Sequence, residues 1–130
     1  MARSAAAAAQ AEPLVSQHDG AGNAVLQAAD GAVGQLGPEL VALSRDVHAH
    51  PEEGFSEHRT VRVVAELLQR HGVDVQVGVH GLETALRAST SSGTGPHVAV
   101  LAEYDALPGV GHACGHNIIC ASAVGAFLAA

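Results

Sequence analysis

An α/β fold is predicted by three features of the chain. Two stretches carry apolar residues at helical spacing, a third carries them at alternate positions, and Val98–Ala102 is an unbroken apolar run of strand length. In order along the chain they read αα-ββ-β-α, the opening half of an α/β sandwich whose sheet is unfinished.

Each element has its own signal. Residues 1–34, rich in Ala, Gly, Gln and Asp, show no sustained period and read as a low-complexity, disordered or loosely helical leader. From Pro38 a helix is expected, with Leu40, Leu43 and Val47 on one face and Pro51 closing the far end. Ser56 can cap a second helix whose stripe is Val61, Val64, Ala65 and Leu68, and Gly72 suits the left-handed position just past its end. Val73, Val75, Val77 and Val79 then alternate with polar or small residues as in a half-buried strand, and Leu82–Arg87 is a plausible partner. Ser89–Pro96 is turn-forming. Val98–Ala102 suits a central strand covered on both faces, whose carboxyl end delivers Glu103 and Asp105 to where ligands bind in open α/β sheets. After Asn117, a last helix is expected to pack on the sheet.

Composition narrows the function. The net charge is −7, and the six basic residues are scattered arginines, so the clustered positive charge that nucleic acid or an anionic membrane surface requires is missing. No stretch approaches the length of a membrane span, and the N-terminus lacks the apolar segment of a signal peptide. With only Cys114 and Cys120, a disulfide framework is not expected, which favours a reducing, cytoplasmic setting.

The chemistry concentrates in Gly109–Asn117. His112, Cys114 and His116 alternate there between glycines, and in an extended segment such residues point the same way, so all three could face one ion. The alternative is a Gly-rich turn with a buried cysteine and solvent-facing histidines. A closed zinc site needs four ligands, and this cluster offers three at best. Upstream, Glu103 and Asp105 either mark where a strand leaves the core or support the cluster, a carboxylate fixing the ring of a ligating histidine. A second patch, His48, His50 and His58 with Glu52, Glu53 and Glu57, reads instead as helix-end electrostatics.

Residues 40–59, ending His50-Pro51-Glu52-Glu53-Gly54-Phe55-Ser56-Glu57-His58-Arg59, resemble the opening motif of the amidohydrolases in metallopeptidase family twenty. Leu101–Pro108 followed by Gly111-His112-Ala113-Cys114-Gly115-His116-Asn117 resembles that branch's metal signature, in the variant of its aminobenzoyl-glutamate hydrolase and Xaa-Arg dipeptidase subgroup. The resemblance runs from about residue 38 to the last residue.

The resemblance implies a three-layer α/β/α catalytic domain of the zinc-peptidase type, with residues 35–130 as its N-terminal portion and the dimerisation domain absent. It further implies two divalent ions, zinc or manganese, with Cys114 and His116 as ligands and Asp105 as the supporting carboxylate. His112 and Glu103 are less certain ligands, since the wider family has a histidine where Glu103 stands. Asn117 occupies a position where aspartate is more usual. The family's general base, an adjacent glutamate pair, is expected beyond the chain, so little activity is expected from these residues alone. The implied substrate is a small N-acyl amino acid or a dipeptide, and the implied assembly a homodimer. A small metal-binding module and a non-catalytic remnant are the rival readings.

Overall fold

The computed structural model describes residues 20–91 and 93–130. Its order is α1 (Asn23–Ala49), α2 (His58–Arg70), β1 (Asp74–Val77), a 3₁₀ turn (Val79–Gly81), β2 (Leu86–Ser89) and α3 (His116–Ala129). This is a mixed fold of helices and one small sheet, in keeping with the α/β class expected.

The helix expected from Pro38 begins at Asn23, so Pro38 lies inside it. Alanines, leucine and glutamine in residues 24–36 favour helix enough to absorb the single hydrogen bond that Pro38 cannot donate. Residues 23–34, expected within a leader, are therefore helical, and the rest of that leader up to residue 19 lies outside the described residues. Leu43 and Val47 are buried on the face that the spacing predicts. His50 ends the helix just before Pro51.

α2 buries Val61, Val64, Ala65 and Leu68, the expected stripe, together with Thr60 and Leu67. Its cap is not Ser56. Glu57 holds the N-cap position without a side-chain bond, and the Glu52 carboxylate reaches in from outside to accept the N–H groups of Arg59 at 2.9 Å and Thr60 at 2.7 Å. Gly72, at φ +77°, lets the chain turn back so that its own N–H reaches Gln69 O at 2.9 Å and Val73 N–H reaches Leu68 O at 3.1 Å.

β1 and β2 pair antiparallel, with Asp74 opposite Ser89 and Val77 opposite Leu86. The second strand starts later than Leu82 because Leu82–Ala85 form a turn closed by Ala85 N–H on Leu82 O at 3.1 Å. The expected central strand is a larger departure. Val98–Ala102 joins no sheet among the described residues, and Val98 and Leu101 are 86% and 88% exposed. A strand apolar on both faces needs neighbours along both edges, whereas here Val100 and Ala102 border a small cavity shared with Leu68, Ala88 and Phe127.

The core gathers Leu43 and Val47 of α1, Val64, Leu67 and Leu68 of α2, and Cys120, Ala121 and Val124 of α3. Val47 and Cys120 are fully buried. α1 and α3 pack so closely at Gly125 that a Cβ there would lie 2.6 Å from Leu40 Cδ1. No described helix is long and apolar enough to cross a membrane.

Candidate metal centre

Two ties hold the segment that bears Glu103 and Asp105. Between them in sequence, the Tyr104 hydroxyl donates to Thr84 O, and Thr84 Oγ1 donates to the buried Glu57 carboxylate at 2.6 Å. After them, Ala106 N–H donates to Glu52 O at 2.7 Å, beside a bridge between Glu53 and Ala106. The patch of glutamates read as helix-end electrostatics thus has two structural members. Glu52 caps α2 and anchors Ala106, and Glu57 anchors the turn before β2.

Burial and charge tune these groups. Burial pushes the Tyr104 hydroxyl up to about 12, helped by the nearby Glu57 and Cys120. Burial would raise Glu52 as well, but hydrogen bonds from Arg59 N–H, Thr60 N–H and the Thr60 hydroxyl outweigh it and hold the carboxyl below its usual range. Asp46 is likewise held low, chiefly by the Arg59 guanidinium that clasps it through two bonds of 2.6 and 2.8 Å.

His116 opens α3, and Asp105 meets it directly. His116 Nδ1 lies 2.8 Å from Asp105 Oδ1 and 3.0 Å from Asp105 O. Both partners are acceptors, so Nδ1 carries a hydrogen, and in the neutral ring Nε2 is left with its lone pair. Nε2 lies 3.5 Å from Glu103 Oε2. A lone pair and a carboxylate at that separation repel unless a cation lies between them or the ring is protonated, and the separation suits two ligands of one ion. The donor chemistry therefore fits a divalent ion, with Asp105 orienting the ring from behind.

The other expected donors are less gathered. Cys114 is exposed, and both cysteines are free thiols. His112 is buried, with neither ring nitrogen hydrogen-bonded, and its ring centroid is 6.3 Å from that of His48. Burial, then repulsion from His48 and His116, lowers its pKa. The turn alternative placed a cysteine in the core and the histidines in solvent. Here Cys120, not Cys114, is the core cysteine, and His112 is inside. Among the described residues no three His, Cys, Asp or Glu side chains converge as a metal-holding group. What is assembled is the Asp105–His116–Glu103 part.

Sequence reasoning missed the ties around the site. Asn117 is buried and donates through Nδ2 to Ser44 O at 3.2 Å and Ser44 Oγ at 3.0 Å, across 73 positions of chain. No local pattern signals a pair so distant. The Glu52 cap does have a signal, a carboxylate a few residues ahead of a helix start, but the expected Ser56 cap masked it.

Beside Glu103 and Asp105 opens a cleft of about 410 Å³, walled by Phe55, Leu82 and Leu86. Phe55 is 77% exposed and held at φ +66°, a left-handed conformation unusual for an aromatic residue.

No family model matches the chain. Over 99 residues, 67% of the chain, it is 37% identical to the Xaa-Arg dipeptidase of Homo sapiens, 23% of which is covered. It is 38% identical over 93 residues, 60% of the chain, to 23% of the thermostable carboxypeptidase 1 of Saccharolobus solfataricus. Over 101 residues, 66% of the chain, it is 32% identical to the N-acetylcysteine deacetylase of Bacillus subtilis, with 26% of that protein covered. The chain spans about a quarter of the length of these curated relatives.

Proposed function

Because the chain belongs to the amidohydrolases of metallopeptidase family twenty, we propose that it supplies part of a divalent-metal site that hydrolyses the amide bond of an N-acyl amino acid or a dipeptide. The observation that carries this reading is the orientation of His116, whose Nδ1 is taken up by Asp105 while Nε2 faces Glu103.

In this reading Cys114 and His116 hold the ion, with Glu103 and His112 as further candidates, and Asp105 fixes the ring and raises the basicity of Nε2. A bound zinc or manganese ion polarises an amide carbonyl and lowers the pKa of water at the site. The chain's own residues orient and bind. Asp105 keeps the His116 lone pair in place, and the cleft walled by Phe55, Leu82 and Leu86 gives an acyl group or side chain an apolar surface. A second ion, the glutamate base, a three-layer catalytic domain, a homodimer and a cytoplasmic setting belong to the same proposal for the whole protein. The 130 residues alone are expected to hydrolyse little or nothing.

The exposed run at Val98 and Leu101 favours one second reading, a remnant that binds no metal. One experiment separates them. Cobalt(II) added to the chain should give a thiolate-to-metal absorption band that disappears in Cys114→Ala and weakens strongly in His116→Ala. No band in the unaltered chain, or an identical band in Cys114→Ala, refutes the ligand assignment.

A further inference from the structure

The first turn of α3 carries His116, yet little at its own end holds that turn in place. Its N-cap is Gly115, left-handed at φ +84°, and no side chain caps it. Asn117 is the side chain of this turn that ties it to α1 by hydrogen bonds. Its buried amide donates through Nδ2 to one residue of α1, to the Ser44 carbonyl at 3.2 Å and the Ser44 hydroxyl at 3.0 Å. Rotation of α3 about its axis would break both bonds at once.

His116 needs that constraint, because a single ring nitrogen must meet Asp105 Oδ1 at 2.8 Å and Asp105 O at 3.0 Å. Hydrogen bonds weaken steeply with misalignment, so a small rotation of the first turn releases the ring and its choice of tautomer. Facing the Ser44 carbonyl, as in this chain, position 117 needs a donor. A carboxylate would set two acceptors against the Ser44 carbonyl oxygen in a buried site, with the Ser44 hydroxyl as its one available donor.

Resting on the metal-site reading above, we propose that Asn117 is a positioning residue: through Ser44 it sets the rotation of α3, and so keeps His116 Nδ1 on Asp105 and Nε2 free for the ion. The pair couples the metal segment to α1 rather than to the sheet. Asn117 itself touches neither ion nor substrate in this scheme.

The test is nitrogen-15 NMR of the histidine rings in the metal-free 130-residue chain, followed by cobalt(II) titration. The unaltered chain should show His116 as one tautomer, protonated at Nδ1. In Asn117→Asp that signature should give way to a mixture of tautomers, and cobalt affinity should fall about 10-fold or more, as for other residues that orient a metal ligand. Ser44→Ala removes one acceptor of two and should fall between. Circular dichroism of both variants should remain helical, which a general loss of structure would not allow.

An Asn117→Asp chain that keeps the His116 tautomer overturns the inference and leaves the metal site standing. A tautomer mixture already present in the unaltered chain removes the site reading, and the inference with it. Where Asn117→Asp does not fold, Ser44→Ala decides, and an unchanged tautomer there overturns the proposal.

Discussion

Replacing Glu52 by alanine should destabilise the chain by about 2–3 kcal/mol, from a cap energy of up to about 2 kcal/mol and a penalty of about 1–3 kcal/mol for a buried group left unpaired. The Glu52 carboxylate accepts three donors: Arg59 N–H at 2.9 Å, Thr60 N–H at 2.7 Å and the Thr60 hydroxyl at 2.8 Å. The first two belong to the opening turn of α2, whose N–H groups have no partner within the helix. The third is more severe, because Thr60 is fully buried and its hydroxyl would lose the partner it donates to. Solvent reaches part of the Glu52 site and restores some bonding, so the two terms do not add in full. Glu52→Gln keeps one accepting oxygen and should lose about half as much.

The assay is urea unfolding followed by far-ultraviolet circular dichroism. The acid limb adds a second check. Because the folded Glu52 carboxyl is held below its usual value of 4.5, its contribution is complete above that pH and is lost as pH falls through the lowered folded value. The unaltered chain should therefore show a steeper loss of stability on acidification than Glu52→Gln. A Glu52→Ala chain within about 0.5 kcal/mol of the unaltered one, the range of ordinary surface changes, would refute the capping argument.

Cys120 is fully buried and burial pushes its thiol up to about 12, whereas Cys114 is exposed, so a thiol reagent should titrate one cysteine in the native chain and two in denaturant. Two fast thiols in the native state contradict the packing of α3. Tyr104 is the one tyrosine in the chain, and its phenolate absorbance should emerge only near pH 12. Its folded pKa is raised, so the stability it confers is complete below about 10 and lost as pH rises towards 12; a midpoint near 10 would show that the ring is not held against Thr84. Gly125→Ala should destabilise modestly in urea unfolding, since overpacking against Leu40 costs about 1–3 kcal/mol and the better helix propensity of alanine returns about 1 kcal/mol. A net gain in stability would mean that α1 and α3 are farther apart.

What was legible follows from how far each signal reaches. The stripes of α1 and α2 and the Gly72 turn depend on neighbours within a few residues, and Leu43, Val47, Val61, Val64 and Leu68 lie where their spacing puts them. α1 starts well before Pro38, a residue that equally suits a first turn, because one lost hydrogen bond can be absorbed in a helix of 27 residues. Val98–Ala102 shows the opposite limit. An apolar run establishes that a segment can be buried on both faces, but pairing depends on edges that other segments supply, and Val98 and Leu101 remain exposed here. At the candidate site, a carboxylate supporting the cluster is one of the two sequence readings of Asp105, and its contact is with His116, while Asn117 and Ser44 carry no local signal, being partners across 73 positions.

The same distinction explains why this region can prepare a histidine without a finished sheet. Asp105 is not set by a strand ladder. It is held before by Tyr104 on Thr84 and after by Ala106 on Glu52, two bonds that end on residues of the opening motif or tied to it through Glu57. His116 is held from the other direction by the first turn of α3. The opening motif at 40–59 and the signature at 101–117 are therefore one mechanical unit: the Glu52 main-chain oxygen and the Glu57 carboxylate serve the later segment, while the Glu52 carboxylate serves α2. Glu52→Ala leaves in place the main-chain carbonyl that holds Ala106, so it should cost α2 its cap while the His116 ring keeps its tautomer. A Glu52→Ala chain whose His116 signature is lost in nitrogen-15 NMR would show instead that the cap of α2, and not only the main-chain bond to Ala106, holds the site.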